Sequence, residues 1–172
     1  MTHRNSREEI RERADLAGEH RVGDMGQLVL ALAFAVIWGV DTFFLGYTTF
    51  LNDVVSLFVR IPLGLLALIL SGYLSRTGLR IVFGEVREQP AVIRKSVFGI
   101  VRHPIYLGEI LLYLGLLFLS ISLAALVVWV IAVLFLHFIS RHEEKLLLEK
   151  YGDAYRQYMD EVPMWLPRLR KR

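Results

Sequence analysis

Four stretches of this chain are too apolar and too long for an ordinary soluble domain. They cover residues 28–50, 54–74, 105–119 and 123–139. A helix crosses a bilayer core with about 20 apolar residues. The blocks therefore read as membrane spans, and the expected fold is all-α: a polytopic helical membrane protein with about four transmembrane helices and a cytoplasmic C-terminal helix. The composition agrees: 55% of the 172 residues are hydrophobic, and mean hydropathy is +0.46, well above that of a soluble domain. The length suits one domain over residues 1–172. Six acids and no apolar core in residues 1–26 argue against a cleavable signal peptide. The chain has no cysteine, so disulfides, thiolate nucleophiles and cysteine metal sites are excluded. No metal site is expected.

The segments between blocks set the organisation. Residues 1–26 form a mixed-charge N-terminal segment, to which no function is assigned. Spans one and two lie within 28–74, a polar loop fills 75–102, spans three and four form a tight hairpin over 105–139, and a charged tail occupies 140–172. Five Lys and Arg precede span one, six lie between spans two and three, eight follow span four, and the two opposite turns have none. Positively charged loops stay on the cytoplasmic side, which places both termini and the 75–102 loop in the cytosol. In the tail, Leu148, Tyr151, Tyr155 and Tyr158 recur at helical spacing and give one aromatic face. With Trp165 and its flanking prolines, that face predicts a helix lying on the membrane surface.

Polar residues at the edges of the blocks carry the chemistry. "VRHPIYLG" opens span three. Pro104 suits the first turn of a helix, where its missing N–H is not needed. Arg102 and His103 then stand at the positive end of the span, beside free backbone N–H groups that suit an anion. Interfacial anchoring on lipid phosphate explains the same residues equally well. Glu143 and Glu144 follow span four, near His137 and His142. Because spans three and four form a hairpin, this pair returns to the face where span three begins. Glu109 lies one turn below Tyr106, within the apolar block. An ionisable group there takes a functional or a paired role. Gly108 and Gly115 share one face of span three, and Gly39 and Gly46 repeat that spacing in span one; both pairs suit close helix packing. Asp41 and Arg60, at matching depths in antiparallel spans one and two, predict a structural ion pair.

With these residues assembled, "RHPIYLG" followed about 40 residues later by "EEKLLLEKYGDAYRQYMDEVP" resembles the membrane-embedded isoprenylcysteine carboxyl methyltransferase family and its phospholipid-methylating relatives. The resemblance covers roughly residues 75–168. It implies an integral membrane enzyme that transfers a methyl group from S-adenosyl-L-methionine to a lipid-borne or isoprenoid acceptor, with the bilayer as its surroundings and no nucleic acid or protein partner. It implies a cofactor pocket lined by Pro90, Ile93, Phe98, Arg102, His103, Pro104, Ile105, Tyr106 and Glu143. His103, Glu109 and Arg141 are the candidate catalytic residues. His103 or Glu109 is the base if the acceptor is an amine or thiol, whereas a carboxylate acceptor needs none. The chain departs from the family pattern at Ser96-Val97-Phe98, where Gly-Pro-Tyr is common, and at Ile139, where an arginine is common and Arg141 is the nearest substitute. It also has fewer spans than the eukaryotic prenylcysteine enzymes.

Two other readings compete. The tail is similar to the end of membrane sterol reductases, which implies reduction of a lipid double bond by NADPH. A small transporter or channel subunit built around Asp41 and Arg60 is the non-enzyme reading. NADPH, with three phosphates, asks for several arginines; S-adenosylmethionine asks for about one.

Overall fold

The computed structural model describes residues 21–84 and 91–166. Among these residues every regular element is helical. Helix α1 is Arg21–Val40, α2 is Leu57–Gly84, α3 is Pro104–Leu119, α4 is Leu123–Tyr151 and α5 is Asp153–Glu161. A π turn, Asp41–Leu45, continues α1 and is closed by Gly46 in the left-handed conformation (φ 68°). Three helical runs, Gly23–Leu45, Leu57–Gly84 and Leu123–Tyr151, are long and apolar enough to cross a membrane.

The fourth apolar helix differs from the expected span. At 16 residues, α3 rises about 24 Å, short of the roughly 30 Å hydrocarbon core. Both ends are determined locally. Pro104 occupies the first turn. Ser120 leaves the helix with extended backbone, its carbonyl held by the Trp38 indole N–H at 3.2 Å. Ser122 then caps α4 by accepting from Ala125 N–H at 3.2 Å. The neighbours of α3 are longer. A Cβ on Gly78 of α2 would meet Ile105 at 2.8 Å, yet α2 continues to Gly84. Glu143 of α4 bonds Tyr106, yet α4 continues to Tyr151. The start of α3 therefore lies at the bottom of a recess walled by the last turns of α2 and α4. This extension of α2 also corrects the expected loop boundary: residues 75–84 are helical, with Arg76 and Arg80 exposed.

Helix α3 packs closely on α2 through small residues, as membrane helices do. A Cβ on Gly108 would stand 2.2 Å from Ser75 Oγ and 3.2 Å from Ser71 O. On Gly115 it would stand 2.7 Å from Leu68 Cγ and 3.1 Å from Gly64 O. On its other side α3 meets α4, and α4 in turn carries α1. Phe34 of α1 stacks on Tyr113 of α3 with ring centroids 4.5 Å apart, above Leu117, Ala125, Val128 and Ala132. Helices α1 and α2 thus flank the α3/α4 pair and share no extended contact.

The expected Asp41–Arg60 ion pair does not form. Asp41 accepts from Thr48 N–H (3.2 Å), the Thr48 hydroxyl and the Ser122 hydroxyl (2.5 Å). Arg60 donates to the carbonyls of Val55 (3.0 Å) and Leu119 (3.2 Å) and to the Asn52 side chain. Both charges are buried. The turn between α1 and α2 brings neutral partners closer to each charge than the charges are to each other, so each is satisfied separately.

The aromatic face of the tail, expected against a membrane surface, packs on protein instead. Gly152 adopts φ 54°, ψ −129°, a conformation that glycine tolerates and other residues resist. The chain turns there, and α5 folds back over the start of α3. Tyr155 and Tyr158 become buried with Val162. Arg102 N–H donates to Pro163 O (2.9 Å) and His103 N–H to Met164 O (3.3 Å).

Candidate active site

The recess at the start of α3 holds a cavity of about 340 Å³, within the range of small-molecule sites. Its floor is Arg102, His103, Pro104, Ile105 and Tyr106. His103 is the N-cap of α3 and supplies no side-chain cap. Pro104 has no N–H, so the amide N–H groups of Ile105 and Tyr106 are the unpaired donors at this helix start. The α4 wall is Glu143, Leu147 and Tyr151; α5 adds Tyr155 and Tyr158; Ala91, Val92, Ile93 and Phe98 come from the segment before α3.

Two adjacent glutamates take different places. Glu143 lines the cavity, accepts the Tyr106 hydroxyl proton in a short hydrogen bond and faces His103 Nδ1 at 3.6 Å. Glu144 is 2% exposed and points behind the cavity wall. Its Oε1 accepts from Arg102 Nε at 2.8 Å and lies 3.3 Å from His103 Nε2. The 100° between successive helical residues accounts for the split. Arg102 also donates through Nη1 to Met159 O (2.9 Å) and to Val162 O. Its guanidinium is thereby a clamp between α4 and the returning tail.

His103 is buried between the two carboxylates, with its ring parallel to that of Tyr106 at 5.7 Å. Burial, the largest influence, draws its pKa below the ordinary histidine value. Glu144 pulls upward without overcoming it, and Arg102 adds to the lowering. Burial therefore favours the neutral imidazole, whose tautomer with the proton on Nε2 would donate to Glu144 Oε1 at 3.3 Å. Burial likewise raises the phenols of Tyr155 and Tyr158, keeping them protonated; Tyr158 donates to Phe98 O at 2.7 Å.

Of the residues singled out in the sequence, Ile93, Phe98, Arg102, His103, Pro104, Ile105, Tyr106 and Glu143 all line this cavity. Pro90 falls outside the described residues. Glu109 is not in the wall: it lies one turn deeper on α3 and accepts the Tyr113 hydroxyl at 2.5 Å. Arg141 is not in the wall either. Its side chain is 59% exposed, and its nearest acid is Glu144 Oε2 at 3.9 Å. Sequence reasoning passed over Asp24 and Gln27 of α1 and Leu79, Val82 and Phe83 of α2, which complete the cavity. It noticed the tyrosine spacing of the tail but placed those rings on a membrane surface. Nothing local marks Asp24; only the packing of α1 on α4 brings it here.

No curated relative matches the chain. A family model described as phospholipid methyltransferase matches residues 59–154, from the first turn of α2 to the start of α5. That range holds the floor of the cavity, Glu143 and Glu144, and more than half of the sequence: the chain belongs to the phospholipid methyltransferase family.

Proposed function

We propose that this protein is an integral membrane methyltransferase that binds S-adenosylmethionine in the cavity above α3 and acts on a lipid-borne acceptor. The observation that carries the reading is the convergence of His103, Tyr106 and Glu143, from two separate helices, on one cavity at the start of α3. The donor set fits the cofactor. The N–H groups of Ile105 and Tyr106 suit its carboxylate. Glu143 suits its ammonium or ribose hydroxyls. The faces of Tyr106, Tyr151 and Phe98 suit an adenine or a sulfonium. The bound cofactor supplies a methyl group already activated on sulfur. The contribution of the chain is positional: it holds acceptor and donor in line and excludes water, with α5 as the cover. Arg102 acts here as the clamp that docks this cover through its Nε and Nη1 groups.

The same geometry bears on the acceptor. Among the described residues, a prenylcysteine carboxylate in the cavity would meet Glu143 and Asp24, with Arg102, engaged through Nε and Nη1, as the one cation of the lining; Arg141 lies outside it. The site better suits a neutral or cationic acceptor, reached from the bilayer between α1 and α2. A nicotinamide cofactor with three phosphates would meet Arg102 as the one cation of the described lining. The Lys and Arg distribution supports placing this mouth in the cytosol.

Calorimetric titration of S-adenosylmethionine into wild type, His103→Ala and Glu143→Ala in one detergent tests the reading. Each variant should bind about ten- to hundred-fold more weakly, the loss expected for a charge-assisted hydrogen bond. Unchanged affinity in both would leave the cavity without a cofactor role.

A further inference from the structure

A carboxylate faces each ring nitrogen of His103, and the positional role of the cavity makes no use of that. Glu144 Oε1 lies 3.3 Å from Nε2, and Glu143 Oε2 lies 3.6 Å from Nδ1. A neutral imidazole has one N–H, so it serves one carboxylate and turns a lone pair to the other. With that N–H on Nε2, the lone pair of Nδ1 faces Glu143 beyond hydrogen-bond distance. One added proton, on Nδ1, would serve both carboxylates. Burial opposes that charge and Glu144 favours it. A further charge brought into the cavity shifts the balance. Among the described residues, the groups around the ring come from every wall. Arg102 precedes it, and Tyr106 of α3 lies parallel to it at 5.7 Å. Helix α4 supplies the two glutamates, α1 supplies Asp24 and α5 supplies Tyr155 and Tyr158, whereas the lining from α2 has no titratable group. The phenols are uncharged near neutral pH. Arg102, Glu143, Glu144 and Asp24 therefore set the field in which His103 titrates.

The methyl donor and its spent product differ by one positive charge. When the methyl group leaves, the bonding pair of the broken C–S bond stays on sulfur, and the sulfonium becomes a neutral thioether. We propose that His103 reads this difference: its imidazole stays neutral beside the sulfonium and takes up a proton on Nδ1 when the thioether replaces it, with the buried Glu144 as the positioning residue that holds the ring through Nε2. The inference rests on the methyltransferase reading above. Two positive charges confined to one cavity of about 340 Å³ repel more strongly than they would in water, so imidazolium and sulfonium exclude each other. An imidazolium between Glu143 and Glu144 meets no such repulsion from a thioether. Acidification therefore loosens the hold on the methyl donor relative to the product, and a rise in pH reverses the preference. Glu144 acts from behind the cavity wall, 2% exposed, so its influence on the ligand passes through His103.

The test titrates full-length protein, in one non-ionic detergent, with S-adenosylmethionine and with S-adenosylhomocysteine from pH 7.5 to 5. In wild type the ratio of the two dissociation constants should move about three- to ten-fold toward the thioether as pH falls. His103→Gln should flatten that shift, and its profile subtracts the titration of the ligands' own amino groups. Glu144→Gln should move the shift to lower pH, because the Glu144 charge draws the proton to the ring. Lost packing alone would weaken both ligands together and leave the pH of the shift where it was. Titrations of wild type in two buffers of different ionisation enthalpy count protons directly: at the acid end, the thioether should bring more protons into the complex than the sulfonium. A wild-type ratio constant with pH, a shift that survives in His103→Gln, or equal proton counts for the two ligands would each overturn the role of His103. An unmoved shift in Glu144→Gln would overturn the positioning role of Glu144. If neither ligand binds wild type, the methyltransferase reading fails and this inference with it; if both bind at a ratio independent of pH, this inference alone fails.

Discussion

Replacing Glu144 by alanine should harm the fold, whereas the same change at Glu143 should harm ligand binding. Glu144 and Arg102 are 3% and 8% exposed at their side chains, and their charges meet at 2.8 Å. Removing one partner of a buried pair costs about 3–5 kcal/mol. Arg102 keeps its bonds to Met159 O and Val162 O, so the loss should fall near the lower bound, about 3 kcal/mol. At about 2–4 °C per kcal/mol for a chain of this size, that lowers the melting temperature by about 6–12 °C. Glu144→Gln keeps an acceptor for Arg102 and should lose about half as much. Glu143 stands at the cavity edge, and its replacement by alanine should cost about 1 kcal/mol of stability. Thermal melting in a fixed detergent, run beside the cofactor titration, measures both quantities. A Glu144→Ala variant that melts like wild type would refute the clamp formed by Arg102, Glu144 and the tail. So would a pair of variants that lose the same quantity to the same extent.

The neutral state of His103 predicts a pH dependence. Its folded pKa lies below the ordinary 6.5, so the unfolded chain binds the extra proton first, and stability falls as pH drops from about 6.5 toward the folded value. Melting curves from pH 7.5 to 5 should show that decline in wild type and a flatter one in His103→Gln; parallel curves would exclude His103 as its source. Gly108→Ala should destabilise by about 1–3 kcal/mol through overpacking, because its Cβ meets both Ser75 Oγ and Ser71 O. Ser75→Gly in the same chain should restore part of that loss in a detergent melt. Gly152→Ala has open space around its Cβ but an unfavourable backbone conformation, so it should cost about 1–3 kcal/mol and make the bond after α5 more accessible to limited proteolysis.

Much of this protein was legible in the sequence because lipid imposes simple rules. A long apolar block must be a helix in a bilayer, so the all-α architecture followed from the positions of four blocks. A three-residue break between two of them forced a hairpin, which was enough to bring His103 and Glu143 to one face from 40 residues apart. Quantities set by contact were not legible. Asp41 and Arg60 lie at matching depths, but the hydroxyls and amides of an intervening turn reached each charge first. The tyrosines of the tail had helical spacing throughout, yet one glycine at φ 54° folded them inward as a cover. The Arg102 side chain stands next to the histidine of the motif and lines the cavity; what the sequence did not show is that tertiary packing engages its Nε and Nη1 with Glu144 and two tail carbonyls. Asp24 lies in a segment with no periodic signal, and it joins the cavity only because α1 packs along α4. The length and apolarity of a block determine which segments are able to enter the membrane. Which side chains share a cavity depends on helix lengths, crossing contacts and the direction of each Cα–Cβ bond, and these exist only once the helices have packed.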